Sequence, residues 1–403
     1  MPEQRREIKK IAASKPADGQ QPTLYDVARE ACVSTATVSR VLHGQDRVRQ
    51  ATRERVLSVI EALGYVPDAA AQSMARQRKE VIGLLVVGNR SPGTEVEKEG
   101  LLFIDEVWRG AEDALGRIEW SLLISMLNSH DPERAFQRML RVSAKVDGLL
   151  IIEGMVGSGR LGQLAARTPL VLIAGSPDEP HADVFAADNR SGTVALVSHL
   201  IERHGTSRIF SVTGPPGAPD AVARQAALEQ TVARHPGVRL TGMFPGWFGS
   251  ADGQRAGREI LGLPRADWPD AIVCGNDQMA IGVIRELQAA GVRVPADVAV
   301  VGFDDVQAGA LIPPLLTTVR QQVGLLADRA CTRLLDRIAN PALPRIVELL
   351  PTELVIRESC GCLLASGARM MAGADRRNKL CLAGRTRSPE FLPIHHQLPS
   401  RVG

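Results

Sequence analysis

From Val81 onward the chain alternates apolar runs of strand length with amphipathic stretches, and nothing else in it restricts the fold so strongly. The runs are "VIGLLVV" (81–87), "SLLISML" (121–127), "DGLLII" (147–152), "PLVLIA" (169–174), "RIFSVTG" (208–214), "AIVCG" (271–275) and "VAVVGFD" (298–304). Each is hydrophobic at consecutive positions rather than at every second one. Such strands are expected to be buried on both faces, as in a parallel sheet covered by helices. Between them, "IDEVWRGAEDALGR" (104–117), "PERAFQRMLRVSA" (132–144) and "QMAIGVIRELQAAG" (278–291) have helical periodicity. Repeated βα units predict a doubly wound α/β body. A body of roughly 270 residues is better divided into two such subdomains, with a ligand cleft between them.

The first 80 residues read differently. Residues 1–22 are polar and hold no helical or strand period, so a disordered arm is expected. In "TLYDVAREA" (23–31), Leu24, Val27, Ala28 and Ala31 share one face, Thr23 can cap the first turn, and Asp26 adds a carboxylate at its positive end. "CVSTATVSRVLHG" (32–44) follows, with Val33 in the turn, Ser34 as N-cap, and Val38, Val41 and Leu42 facing inward. "QATRERVLSVIEALGY" (50–65) adds a third helix with Val56, Ile60 and Leu63 as its apolar stripe. Two short helices joined by a tight turn and closed by a third form a helix-turn-helix unit. Hydroxyl and β-branched residues are poor choices for helix propensity. Thr35, Ala36 and Thr37 instead allow a close approach to a duplex, and Arg40 can pair bidentately with guanine. A helical hairpin that never meets nucleic acid would satisfy the same spacing. Charge leans toward the first reading: residues 1–80 hold 14 Lys/Arg against 10 Asp/Glu, and residues 363–403 hold 7 against 2, in a chain of net charge +3. A basic head on an acidic body is expected to meet a polyanion.

The composition, 44% hydrophobic but only 3% aromatic, calls for aliphatic cores. No apolar run reaches the roughly 18–20 residues of a membrane span, and the N-terminus lacks a signal-peptide core, so a cytoplasmic protein is expected. The cysteines (32, 274, 331, 360, 362, 381) contain no CxxC pair and read as free thiols. Cys360-Gly-Cys362 is shorter than the usual structural zinc spacing, and no metal or cofactor is expected. No GxSxG, P-loop or HExxH occurs, and His43, His199 and His204 have no sequence neighbours suggesting a triad, so no catalytic residue is assigned. "GSGRLG" (157–162) has dinucleotide-fingerprint spacing, but it does not follow a strand directly, and the next strand ends in Gly175-Ser176 rather than an acidic residue. It reads as a flexible loop.

"TLYDVAREACVSTATVSRVLHGQDRVRQATRERVLSVIEALGYVPDAAAQSMARQRKEVIGLLV" (23–86) resembles the head and hinge of the lactose-repressor (LacI/GalR) family of bacterial transcription factors, through "TVSRVL", "TRERV", "LGYVP" and "IGL" in that order. The resemblance implies that Thr35, Ala36 and Arg40 read bases and that Thr37 and Ser39 hold phosphates. Thr23, Leu24, Tyr25, Ser34, His43 and Arg47 complete the DNA-facing set. Residues 67–80 would be a hinge helix, too short to persist alone and ordered against DNA and a symmetry mate. Met74 stands where the family wedges a leucine into the minor groove. Asp68 replaces the usual asparagine and Gln72 a common arginine, which implies weaker DNA binding than is typical of the family.

The body resembles the family through "VFAADNRSGTVALVSHLIERHG" (184–205), "TGP" (213–215), "GNDQMAIGVIRELQAAGVRVPADVAVVGFDD" (275–305) and "PLLTTV" (314–319). This implies a periplasmic-binding-protein-like body (81–362) of two doubly wound subdomains, with crossovers near 200, 320 and 350, behind the small all-α helix-turn-helix head (23–66). Asp188, Arg224, Asn276 and Asp304 would contact a ligand and Phe248 would stack on it, with Trp247 as its neighbouring candidate. "RQAAL" departs from the family's "RxxGF" around Arg224, and Asp277 is expected to cap the helix beginning near Gln278. "GNRSPGTEVEKEGLLF" (88–103) is either a cleft-bordering loop or a plain surface loop. The function implied is that of a repressor: a homodimer on a pseudo-palindromic double-stranded operator, controlled by a small-molecule effector expected to be a sugar. Residues 363–403 read as a mobile basic tail without a leucine heptad, hence a dimer rather than a tetramer. A sugar-binding protein whose head is only an interaction module, and an enzyme using the cleft, are the competing classes.

Overall fold

The structure, a computed structural model, describes residues 22–42, 48–66, 78–88, 102–128, 131–152 and 156–362. It divides into two compact units, Met1–Glu80 and Val81–Gly403. The expectations for the N-terminal arm, His43, Arg47, the hinge with Asp68, Gln72 and Met74, most of the 88–103 loop, and the tail fall outside the described residues.

In the first unit, α1 (Leu24–Glu30), α2 (Thr35–Leu42) and α3 (Gln50–Leu63) enclose a small aliphatic core. Val27, Ala28, Ala31, Val38, Val41 and Val56 are buried there, with Leu24, Val33, Leu42, Ile60 and Leu63 packed around them. Tyr65, which the helical stripe does not predict, joins that core. It can do so because Gly64 ends α3 in the left-handed conformation (φ 60°), turning the chain back over the helix.

The second unit is built on two parallel sheets. The first has the order β11-β5-β4-β3-β1-β2, from β1 (Val81–Gly88), β2 (Ser121–Asn128), β3 (Gly148–Ile152), β4 (Leu170–Ile173), β5 (Asp183–Ala187) and β11 (Val347–Leu350). Consecutive residues of its strands enter different cores: Ile82, Leu84 and Val86 of β1 pack on one face and Leu85 on the other. This is why the runs are continuously apolar. Helices α4 (Leu102–Gly116) and α11 (Val323–Ala339) cover the first face. Helices α5 (Pro132–Ser143) and α6 (Ser158–Ala165) cover the second. α6 corrects one expectation, because "GSGRLG" lies in a helix and not in a flexible loop. Leu161 and Leu164 at i and i+3 are fully buried and anchor it, a period masked by the intervening glycines.

The second sheet has the order β7-β6-β8-β9, from β6 (Arg208–Thr213), β7 (Arg239–Pro245), β8 (Ala271–Cys274) and β9 (Ala299–Val301). α7 (Asn189–His204) and α8 (Pro219–Ala233) cover one face, α9 (Ser250–Leu261) and α10 (Asp277–Ala289) the other. α9 and α10 touch backbone to backbone: a Cβ on Gly282 would come within 2.0 Å of the Ser250 carbonyl oxygen. β10 (Thr318–Arg320) and β12 (Glu353–Val355) form a small antiparallel pair.

The chain passes between the two sheets three times: after β5, between β10 and β11, and between β11 and β12. The first passage is at 188, earlier than the expected 200, because α7 already packs on α8 and β10 in the second subdomain. Within the first subdomain, Asp183 ties the start of β5 to α11 and to the approach to β11. Fully buried at the start of β5, it accepts hydrogen bonds from Arg333 Nε (2.9 Å), Arg337 Nε (2.7 Å) and the Ile346 amide (2.7 Å).

Candidate functional site

The outer face of the head is arranged by caps at two helix starts. At α1, Thr23 and Asp26 form a reciprocal box: the Thr23 amide donates to Asp26 Oδ2 (2.9 Å), and Thr23 Oγ1 accepts from the Asp26 amide (3.4 Å). At α2, Ser34 Oγ accepts from the Thr37 amide (3.2 Å) and lies 2.9 Å from Thr37 Oγ1. Ser34 and Thr37 therefore start the helix, and their hydroxyls support each other before any partner arrives. Beyond them Ala36 and Arg40 are exposed one turn apart, and Thr35 and Ser39 are half-buried. Tyr25 stands out from α1 with 75% of its surface exposed. The candidate residues that the structure describes thus lie on α1, α2 and their caps.

In the body, polar groups converge at the carboxyl edge of the four-stranded sheet, where β6 and β8 are adjacent and the chain direction splits. That switch point is where open α/β sheets bind ligands. Arg224, on the second turn of α8 and only 6% exposed, lies at the centre. Its Nε donates to Asn189 Oδ1 (2.7 Å), and its Nη1 donates to the Gly275 carbonyl (2.6 Å) and reaches Asp304 Oδ1 (3.5 Å). Nη2 faces Asp220 at 3.5 Å, and the guanidinium carbon lies 3.8 Å from the centre of the Phe303 ring. Asn189 Nδ2 donates to Asp220 Oδ1 (2.7 Å), and Gln321 Nε2 donates to Asp304 Oδ1 (2.6 Å). Burial pushes the Asp304 carboxyl above the usual range, against the pull of Arg224. Burial also raises Asp220, opposed by Arg224 and the Asn189 hydrogen bond.

The sequence-predicted ligand residues separate into two groups. Arg224 and Asp304 meet directly. Phe248, in the left-handed conformation (φ 68°), lays its ring over Gly214 at the end of β6, where a Cβ would come within 2.3 Å of the ring. Asp188 caps α7 through the Ser191 amide (3.0 Å), and its neighbour Asn189 enters the Arg224 network in its place. Asn276 is fully engaged: Oδ1 accepts from the Met279 amide (3.0 Å), and Nδ2 donates to the Phe248 carbonyl (3.0 Å) and to Gln278 Oε1 (3.0 Å). It caps α10, correcting the expectation that Asp277 does. Asp277 is buried instead, with its carboxylate accepting from Thr318 Oγ1 (2.5 Å) and the Val306 amide (2.9 Å). Trp247 donates its amide to Asp252 (2.7 Å). A cavity of ≈ 20 Å³ lies under Arg224, lined by Thr193, Ser211, Gln225 and Phe303 among others. It has room for about one water in this arrangement of the side chains.

Residues 23–68 match the family model for bacterial regulatory proteins of the lacI family, and residues 197–360 match the periplasmic binding protein-like domain. The transcriptional repressor PurR of Aliivibrio fischeri (strain ATCC 700601 / ES114) is 31% identical over 345 residues, covering 84% of this chain and 98% of that protein. The chain belongs to the LacI family. Other LacI-family relatives include the ribose operon repressor of Escherichia coli (strain K12), 32% identical over 330 residues, 80% of this chain and 94% of that protein. The lac repressor dimer bound to operator and the anti-inducer ONPF has the same fold, with a TM-score of 0.74 and 27% identity over 85% of this chain and 99% of its own. LacI-family membership makes the chain a DNA-binding, effector-controlled transcriptional repressor and not an enzyme. Among the described residues no helix is long and apolar enough to cross a membrane.

Proposed function

We propose that this repressor acts in the cytoplasm as a homodimer and reads a pseudo-palindromic operator through Thr35, Ala36 and Arg40. Thr37 and Ser39 would hold phosphate, and a sugar-class effector would bind at the Arg224–Asp304 constellation. One observation carries the reading. The Arg224 network includes Asn189, just past the first crossover, and, through Asp304, Gln321, where the second begins. Thr352, on the third, donates to the Asp188 carbonyl (3.1 Å). A ligand that exchanges these hydrogen bonds for its own changes the restraints on all three passages between the subdomains. That is the differential contact an effector needs to shift the equilibrium between two body states and so alter operator affinity.

The chemistry favours a neutral polyol. Two half-buried carboxylates flank one guanidinium, so hydrogen-bond acceptors are in surplus and suit the hydroxyl donors of a sugar. A phosphate ester would bring its charge against Asp220 and Asp304. The ribose operon repressor and the cellobiose complex of the regulator CelR, 30% identical with a TM-score of 0.61, give precedent for sugar-linked members.

The test is operator binding measured during titration with ribose, cellobiose, other neutral sugars and their phosphate esters, in wild type and in Asp304→Ala. At least one neutral sugar should change operator affinity by tenfold or more, and Asp304→Ala should shift the half-effective concentration upward by a similar factor. If no sugar changes operator affinity, the sugar-class assignment fails.

A further inference from the structure

Away from the Arg224 constellation, four metal-ligating side chains meet at the other end of α7. His199 and His204 lie on the last turns of that helix, and Cys360 and Cys362 lie on the turn that follows the third crossover and β12. Their ligand atoms all fall within 4.8 Å of one another. His199 Nε2 is 3.2 Å from His204 Nε2, 3.5 Å from Cys360 Sγ and 3.6 Å from Cys362 Sγ. Cys362 Sγ is 3.4 Å from His204 Nε2. Zinc–nitrogen bonds of about 2.0–2.1 Å and zinc–sulfur bonds of about 2.3 Å in a regular tetrahedron require N···N edges of about 3.3 Å and N···S edges of about 3.6 Å. The four distances match those edges to within about 0.2 Å.

The surroundings are also those of a built site. Cys360 is 2% exposed and packs with Leu196, Val197 and Leu200 of α7, while the other three ligands are half-buried. Gly361, between the cysteines, has φ +103°, a conformation that favours glycine, and the turn it makes lies in van der Waals range of the His204 ring. The two rings meet edge to face at 70°, which turns both Nε2 atoms toward one point between them. Gly205 ends α7 directly after His204 and fixes where that second ring projects. The described cysteines form no disulfide. Two thiolates and two neutral imidazoles around a divalent cation sum to zero charge, which allows the site to sit against an apolar core without an unpaired ion.

We infer that His199, His204, Cys360 and Cys362 form a closed tetrahedral site for a thiophilic divalent cation, Zn²⁺. The site fastens the turn after β12 to the end of α7, the helix that follows the first crossover. Four protein ligands leave no open position, so the ion is structural and not catalytic. Ser359, beside the ligands, extends the fastening inward: its hydroxyl donates to the Val300 carbonyl (2.6 Å) and accepts from the Thr317 amide (2.9 Å).

Elemental analysis of the full-length protein, purified without chelator, tests this. About one zinc per chain is expected in wild type, and Cys362→Ser and His204→Gln should each lose most of it. Co²⁺ exchanged into wild type should give thiolate-to-cobalt charge-transfer absorption together with the intense d–d bands of tetrahedral cobalt. Chelation should lower the Tm of wild type and leave that of Cys362→Ser unchanged. Wild-type spectra with and without chelator decide the matter even if a variant fails to fold. The proposal is overturned if wild type gives no thiolate–cobalt band, if zinc content survives both substitutions and so sits elsewhere, or if thiol titration of the native protein finds Cys360 and Cys362 joined as a disulfide.

Discussion

At the scale of single residues, Arg40 and Arg224 stand in opposite surroundings. Arg40 is exposed on α2. If it reads a base, Arg40→Ala should relax preference at one position per half-site by about 1–3 kcal/mol and leave the salt dependence of binding unchanged. Affinities across an operator-variant series at several salt concentrations check this. Uniform weakening with a shallower salt slope would assign Arg40 to phosphate instead. Arg224, in contrast, is already committed to Asn189, Gly275, Asp304 and Asp220. Its removal leaves two half-buried carboxylates without their cation, so Arg224→Ala should destabilise the body by about 3 kcal/mol in urea unfolding and abolish the effector response. A variant of unchanged stability would show that the network is not held by that cation. The exposure of Arg40, one turn after Ala36, was legible from the helical spacing. Arg224 and Asp304 were legible only through resemblance, because they stand 80 positions apart and no local pattern joins them. Asn189 was missed because its acidic neighbour Asp188 has the more conspicuous chemistry, yet Asp188 is spent on the cap. The His/Cys cluster was missed for a related reason. His-x₄-His has a usual zinc spacing, but Cys-x-Cys is shorter than the usual one and lies far along the chain, so only the tertiary fold brings the two pairs together.

At the scale of elements, helix starts and strand edges decide what the sequence reveals. The strands β1, β3, β4, β6, β8 and β9 lie in runs recognisable as doubly buried. β2 lies in such a run too, but it is a sheet edge with Ile124 and Met126 exposed, so that expectation fails there. β5, β7, β10, β11 and β12 lie in no such run; β5 (DVFAA) is buried throughout, but its aspartate and alanines hide the pattern. β7 and β11 are sheet edges with exposed positions, and β10 and β12 are three residues each, too short to show a period. Helix caps proved harder to place than the helices themselves: α10 was readable, but Asn276 and Asp277, side by side, exchange the roles expected of them. Asn276→Ala should cost about 1–2 kcal/mol for the lost cap. Depriving the Phe248 carbonyl of its donor should add to that, and Asn276→Asp should recover the cap alone. Urea denaturation of the two variants separates the terms, and equal losses in both would place the whole cost in the Phe248 bond.

At the scale of the whole molecule, charge and symmetry set the conditions under which the protein works. Burial alone would raise the pKa of Asp183, but hydrogen bonds from Arg337, Arg333 and the Ile346 amide together hold it below the usual range. A depressed carboxylate contributes stability that is present above the unfolded value, about 3.9, and is lost as pH falls through the folded one. Wild type should therefore lose stability steeply below about pH 4, while Asp183→Asn, weaker at neutral pH, should show a flatter acid limb. Parallel limbs in a pH series of urea unfolding would refute this. Symmetry makes a second demand: an operator reduced to one half-site should bind about 10²–10⁴ times more weakly than the full palindrome, measured by titration of labelled duplexes. Equal binding would mean that the heads act singly.

The crossovers also determine how such a chain can be made. The six-stranded sheet begins at Val81, but its edge strand β11 pairs with β5 only when Val347–Leu350 are available. Val323, Leu326, Ala327, Ala330 and Leu334, which cover one face of that sheet, come scarcely earlier. During synthesis the first subdomain therefore waits, with the part of one apolar face that α4 leaves uncovered still bare, until almost all of the second has left the ribosome. Premature termination anywhere in the second subdomain releases an aggregation-prone half-sheet in place of a shorter working protein.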